Sequence, residues 1–128
     1  MGTGPALVSI LRQGWYLIAS IHTALNDSEL LRFQSDLIDQ IGICRSKGVI
    51  VDVAALDVLD SFGSRTLRNI AEMARLRGAE TVIVGIQPDV AYAMVELGMD
   101  TGSVFTALDL EEGLAYLSRP RHQATPVR

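Results

Sequence analysis

Short apolar runs alternate along the chain with segments whose apolar residues recur every three or four positions. Residues 6–11 and 15–21 are two such runs, split by Arg12-Gln13-Gly14. That spacing predicts a β-hairpin, so the first two strands should be antiparallel. Asn26 with Glu29 three residues on is a capping-box pattern, and Leu30, Phe33, Leu37, Ile38 and Ile41 follow at helical spacing. Lys47-Gly48 is expected to end that helical unit. Residues 48–53 form a continuous apolar run with one acid, the pattern of a central parallel strand covered on both faces.

A loop over 54–60 then leads into a second helix, predicted for 61–77, with Leu67, Ile70, Ala71 and Ala74 on one face and Gly78 as the stop. Residues 81–85 read as another buried strand. Gln87-Pro88-Asp89 opens a third helix with Pro88 at its first position, running to Leu97 and stopping at Gly98. Val104-Phe105 is a short last strand, and Asp109 with Glu112 starts a final helix to about Leu117. The predicted order is β-β-α-β-α-β-α-β-α. It describes an α/β domain with a mostly parallel, four- to five-stranded central sheet, an antiparallel N-terminal strand and about four helices. Residues 1–5 are expected to be a flexible start, 6–117 a single domain and 118–128 a flexible, weakly basic tail.

Composition narrows the class. A chain of 128 residues suits one domain, and 48% hydrophobic with 20% charged residues excludes a disordered chain. With 11 Lys+Arg against 15 Asp+Glu the net charge is -4, which argues against a nucleic-acid partner. One cysteine, Cys44, excludes an internal disulfide and a cysteine-based zinc knuckle. No apolar run approaches the roughly 20 residues of a membrane helix, and no signal peptide opens the chain. A cytoplasmic protein without a membrane partner is expected.

The search for catalytic chemistry is largely negative. There is no phosphate-binding glycine loop, no dinucleotide fingerprint and no H-E-x-x-H. His22 and His122 are too far apart in the pattern to share a metal, so neither metal nor cofactor is expected. Cys44, late in the first helix, reads as an ordinary small buried residue. A phospho-acceptor receiver needs clustered carboxylates at strand ends and a lysine after a strand. Here the only lysine, Lys47, precedes one.

What remains is Asp57-Val58-Leu59-Asp60-Ser61-Phe62-Gly63-Ser64, between a central strand and the second helix. This is the carboxyl edge of the sheet, where α/β domains place ligand and partner contacts. A serine there lies near free N–H groups and the positive end of a helix dipole, so a phosphoryl group would be well placed. Ser61 or Ser64 also reads simply as an N-cap. The two roles are compatible.

The apolar strand ending in Asp52-Val53, followed by Asp60-Ser61-Phe62-Gly63 at a helix start, resembles the core signature of the STAS domains, the anti-sigma factor antagonist family. Gly78-Ala79-Glu80 before a strand and Gly85-Ile86-Gln87-Pro88 after it fit the same resemblance, which spans about residues 7–117. Phe62 stands where the general family has a second hydroxyl. That form, with Gly85-Ile86-Gln87-Pro88 matching cleanly and Leu76-Arg77-Gly78-Ala79 imperfectly, is similar to the RsbS branch.

The resemblance implies a non-enzymatic scaffold of the stressosome, a large cytoplasmic signalling assembly. It implies RsbR-type STAS paralogues as partners, self-association in the particle, and an RsbT-type serine/threonine switch kinase that is held and then released on phosphorylation. Carried over by position, the acceptor is Ser61, with Ser64 the alternative. Asp60, Phe62 and Gly63 complete the motif or contact the kinase, and Asp52 is expected to bind loop N–H groups. Whether Thr81 or Thr101 is a second acceptor stays open. The competing readings are a simple anti-sigma factor antagonist that binds an anti-sigma kinase directly, a small-ligand or nucleotide-binding module, and a hydrolase using Ser61. Leu76, opposite the buried stripe of the second helix with Met73 beside it, hints at a partner surface.

Overall fold

The structure, a computed structural model, describes residues 7–96 and 104–120. The elements are β1 (Val8–Gln13), β2 (Tyr16–Ile21), α1 (Asp27–Cys44), β3 (Gly48–Asp52), α2 (Ser61–Leu76), β4 (Glu80–Val84), α3 (Pro88–Glu96), β5 (Phe105–Ala107) and α4 (Leu110–Leu117). They form one five-stranded sheet in the order β1-β2-β3-β4-β5. β1 runs antiparallel to β2, and every later pairing is parallel. This is the expected α/β architecture.

Several boundaries differ from the sequence reading, each for a local reason. The hairpin turn is Gly14-Trp15, with Gly14 at φ 60, so Arg12 and Gln13 extend β1 and Trp15 leaves the strand. α1 stops at Cys44 with Arg45 in the left-handed region (φ 50), and Gly48 already belongs to β3. The stop is thus set two residues before Lys47, by a non-glycine cap. The fourth strand begins at Glu80, and Gly85 (φ 80) turns the chain out of the sheet. Val104 is buried but precedes the short edge strand. Leu97, Gly98, Thr101 and His122 lie outside the described residues.

The period-two pattern of the strands decides which side chains go where. Leu17, Ala19, Ile21, Val49, Val51 and Ile83 point to the main core, where α1 supplies Phe33, Leu37 and Ile41 and α2 supplies Leu67, Ile70, Ala71 and Ala74. α3 adds Val90 and Met94 to the same side. Ile50, Val82 and Val84 point the other way and meet Leu117, Leu114 and Leu110 of α4. β3 and β4 are therefore covered on both faces, as continuous apolar strands require.

Helix ends are fixed by the residues singled out above. The Asn26 side chain accepts from Glu29 N at 2.8 Å, and the Glu29 carboxylate accepts from Asn26 N at 2.9 Å, a closed capping box. At α4, Asp109 accepts from Glu112 N at 2.9 Å, but Glu112 reaches one residue further back, to Leu108 N. After α4, Ser118 Oγ donates to Leu114 O, and Arg119 lies 3.7 Å over the Tyr116 ring while pairing with Glu80 at 3.4 Å.

Candidate functional site at the corner between β3 and α2

The site is a corner held from three sides. Asp52, the last residue of β3, accepts from Ala54 N at 2.9 Å and so turns the chain out of the sheet, the structural role expected of it. Val53 N donates to Val84 O, and Leu56 N donates to Val53 O. Leu56 and Leu59 are buried in the main core and anchor the loop, whereas Val58 between them is 69% exposed. Asp57 and Asp60 are exposed as well.

α2 is capped by Asp60 rather than by a serine. Asp60 Oδ1 accepts from Gly63 N at 2.8 Å, and its carbonyl accepts from Ser64 N at 2.9 Å. This replaces the reading of Ser61 or Ser64 as N-cap. The chain is extended at Asp60 (φ -87, ψ -177), so its carboxylate curls back over the first turn, leaving Ser61 as the first helical residue. Gly63 has a steric reason: a Cβ there would stand 2.8 Å from Leu59 Cδ1 and 3.3 Å from the Asp60 carboxylate. A side chain would press on both the loop anchor and the cap.

The two serines have opposite environments. Ser61 is exposed, and its hydroxyl makes no hydrogen bond among the described residues. Ser64 is 3% exposed, and its Oγ is buried without a partner. Phe62 is half-buried, and its carbonyl accepts from Thr66 Oγ1 at 2.8 Å. Thr81 is 4% exposed with its hydroxyl also enclosed and unpartnered. Of these hydroxyl-bearing residues, only Ser61 is exposed.

Two further residues shape the corner, though the sequence carried them only as family-like signature. Gln87 Nε2 donates to Ala54 O at 2.6 Å across the gap between the β3–α2 and β4–α3 loops. Gly85 lies against the same residue: a Cβ on it would be 2.8 Å from Ala54 Cβ and 3.1 Å from Ala54 N. The signal was present in Gly85-Ile86-Gln87-Pro88, but its target, Ala54, can be found only from the parallel pairing of β3 and β4.

Beside the corner is a small apolar cleft of about 160 Å³, with Leu25, Leu30, Val58 and Leu59 among its walls and Asp60 at its edge. His22 is exposed, and its Nε2 lies 3.1 Å from the hydroxyl of Ser9 on the neighbouring strand. Among the described residues no cluster of His, Cys, Asp or Glu could hold a metal ion. Cys44 is half-buried, its Sγ 3.7 Å from Gln40 Oε1. No helix among the described residues is long and apolar enough to cross a membrane.

A mixed five-stranded sheet with four helices, presenting an exposed serine where the central strand turns into a helix, defines a small α/β domain of mixed-sheet type. Residues 11–112 match the STAS domain, and the chain belongs to that family.

Within it, the structure is similar to Moorella thermoacetica RsbS, solved as a serine-to-glutamate variant: 35% identity, 88% of this chain and 95% of that one, TM-score 0.77. It also matches a chain from the molecular architecture of the stressosome, described as a signal integration and transduction hub, with 33% identity, 85% and 95% coverage and TM-score 0.71. In sequence it is 30% identical over 83 residues to the Bacillus subtilis RsbT co-antagonist protein RsbRA. That match takes in 65% of this chain but only 30% of RsbRA. The anti-sigma factor antagonist SpoIIAA shares the fold at 13% identity and TM-score 0.69.

Proposed function

We propose that this chain is a non-enzymatic scaffold and phospho-switch of the stressosome type. It assembles with RsbR-type STAS paralogues, sequesters an RsbT-type serine/threonine kinase and releases it when Ser61 is phosphorylated. One observation carries the reading: Ser61 is exposed with an unengaged hydroxyl, on a corner whose cap, anchors and brace are all supplied by other residues. A kinase can take that hydroxyl without dismantling anything.

The electrostatics favour a switch that acts on the partner. Phosphorylation adds about -1.5 to -2 charges. Asp60 already occupies the N–H groups of Gly63 (with its side chain) and Ser64 (with its carbonyl), so a phosphoryl group on Ser61 finds only the first N–H groups of α2. Its nearest neighbour in the chain is the capping Asp60, with Asp57 in the same exposed loop and Arg65 one turn along the helix. A dianion held loosely on an exposed residue next to the Asp60 carboxylate projects its charge at whatever docks on the corner. The half-buried Phe62 and the exposed Val58 supply apolar contact for such a partner. The same features suit the kinase-holding role.

The test is reconstitution with an RsbR-type partner and an RsbT-type kinase, followed by ATP. Intact mass should rise by one phosphoryl group, site mapping should place it on Ser61, and the kinase should leave the particle. Ser61→Ala should keep the kinase bound, and Ser61→Asp should bind it more weakly than wild type. Release of the kinase from Ser61→Ala at the wild-type rate would sink the assignment.

A further inference from the structure

At the opposite end of the strands from Ser61, the turns before β2, β3 and β4 meet in an open pocket of about 650 Å³. Trp15 comes from the first turn, Arg45, Ser46 and Lys47 from the second, and Arg77 from the end of α2. Every cation of the described chain that lines this pocket lacks an ion pair: the one salt bridge among the described residues is Arg119 with Glu80. In a chain of net charge -4, three uncompensated cations in one concavity call for an explanation.

The ordinary explanation is the helix dipole, because α1 and α2 both end here and basic residues favour helix C-termini. Each helix end is equivalent to roughly half a negative charge. Two ends therefore amount to about one negative charge against three positive ones, leaving about two positive charges unbalanced. The dipole does not absorb the cluster.

The pocket is also built. Gly42, inside α1, is a position where glycine costs roughly 0.5–1 kcal/mol relative to alanine. A Cβ at Gly42 would collide with Arg77 Nη2, so the bare backbone is the seat of that guanidinium. Lys47 Nζ lies 5.4 Å from the centre of the Trp15 ring. The Trp15 carbonyl accepts from Lys47 N at 2.8 Å, and the single proton of the Ser46 hydroxyl, on a residue 5% exposed, is shared between Gly48 O at 2.7 Å and Trp15 O at 3.2 Å. Arg45 is fixed at the left-handed cap of α1. The exposed side chains of Arg45, Lys47 and Arg77 thus rise from an ordered backbone floor, with an indole that is 58% exposed beside them.

We propose that this pocket binds a small oligophosphate-bearing anion, with its phosphates among Arg45, Lys47 and Arg77 and, where the ligand carries a base, the base on Trp15. Such a ligand supplies the two or more negative charges that the arithmetic requires. Guanidinium groups match phosphate oxygens in geometry as well as charge.

Trp15 is the chain's only tryptophan, so its fluorescence reports on this pocket alone. Full-length protein is titrated with sodium tripolyphosphate and, separately, with ATP, by fluorescence and calorimetry in ~50 mM salt, where exposed charges are weakly screened. Both should shift the emission and release heat. Equal affinities mean that phosphate alone is recognised, and tighter ATP means that the base stacks. Arg77→Gln should weaken binding about tenfold, the loss of one charge-assisted contact. Gly42→Ala should weaken it as well, by displacing Arg77, while holding or raising the melting temperature because alanine favours the helix. No fluorescence or heat change with either ligand overturns the proposal. So does wild-type affinity in both variants, or polyglutamate binding as tightly as tripolyphosphate, which would make the site an unspecific basic patch.

Discussion

Gly85→Ala is the sharpest perturbation of the corner that leaves its chemistry untouched. Two effects add at this position. Gly85 has φ 80, a conformation that costs an L-residue roughly 1–2 kcal/mol. The new Cβ would also stand 2.8 Å from Ala54 Cβ and 3.1 Å from its backbone nitrogen, so backbone must yield. Overpacking of that kind costs about 1–3 kcal/mol. Gly78→Ala isolates the first effect, since Gly78 has φ 87 and nothing within 4 Å of the Cβ position. The gain from a stiffer unfolded chain is common to both and cancels in the difference. Gly85→Ala should therefore be less stable than Gly78→Ala by about 1–3 kcal/mol in urea unfolding. Because Ala54 is also the residue braced by Gln87, the displaced strand-end loop should become more open to limited proteolysis. Equal stability of the two variants, within about 0.5 kcal/mol, would refute the claim that the β4–α3 loop presses on the β3–α2 loop.

The remaining predictions concern the helix start. Asp60→Ala removes the side chain that accepts from Gly63 N and should cost about 1 kcal/mol by urea unfolding, with Asp60→Ser recovering most of it. Ser64→Ala deletes a buried hydroxyl that has no partner, so it should leave stability unchanged or raise it by up to about 1 kcal/mol, and should leave phosphorylation of Ser61 intact. A clear loss of stability in Ser64→Ala would mean that the hydroxyl is engaged after all.

The order of elements was legible because each carries its own period. The continuous apolar run at 48–53 and the three-four spacing from Leu30 to Ile41 leave little choice of element. Ends were less legible wherever a cap depends on backbone shape. Arg45 closes α1 in a conformation usually left to glycine, so the sequence pointed past it to Lys47-Gly48. At α2, Asp60 and Ser61 are both good N-caps, and only the geometry shows that Asp60 takes the role and frees the serine. The difference between Ser61 and Ser64 was invisible for a simpler reason: three positions on a helix amount to nearly a turn, but the core lies under Ser64 and not under Ser61. The brace from Gly85 and Gln87 to Ala54 joins residues more than thirty apart, which no local pattern encodes.

These local facts constrain how a charge at Ser61 can act. A phosphoryl group at the first position of α2 sits at the favourable end of the helix dipole, where an anion contributes about 0.3–1 kcal/mol of stability. It breaks no hydrogen bond of the Ser61 hydroxyl, because that hydroxyl makes none among the described residues. The anchors of the loop, Leu56 and Leu59, stay in the core. The cap on Gly63 comes from the neighbouring carboxylate. Nothing at the corner is therefore poised to unfold or to swing when the charge arrives. The proposed switch would therefore alter the surface the corner presents rather than its conformation. On that reading the free energy of release would come from the partner's side of the contact, from desolvating a dianion next to the Asp60 carboxylate against an apolar docking face. In the proposed switch, the cap, anchors and brace of this corner would hold the Ser61 hydroxyl in one place before transfer and its phosphate in the same place afterwards, so that one group would serve as both substrate and signal.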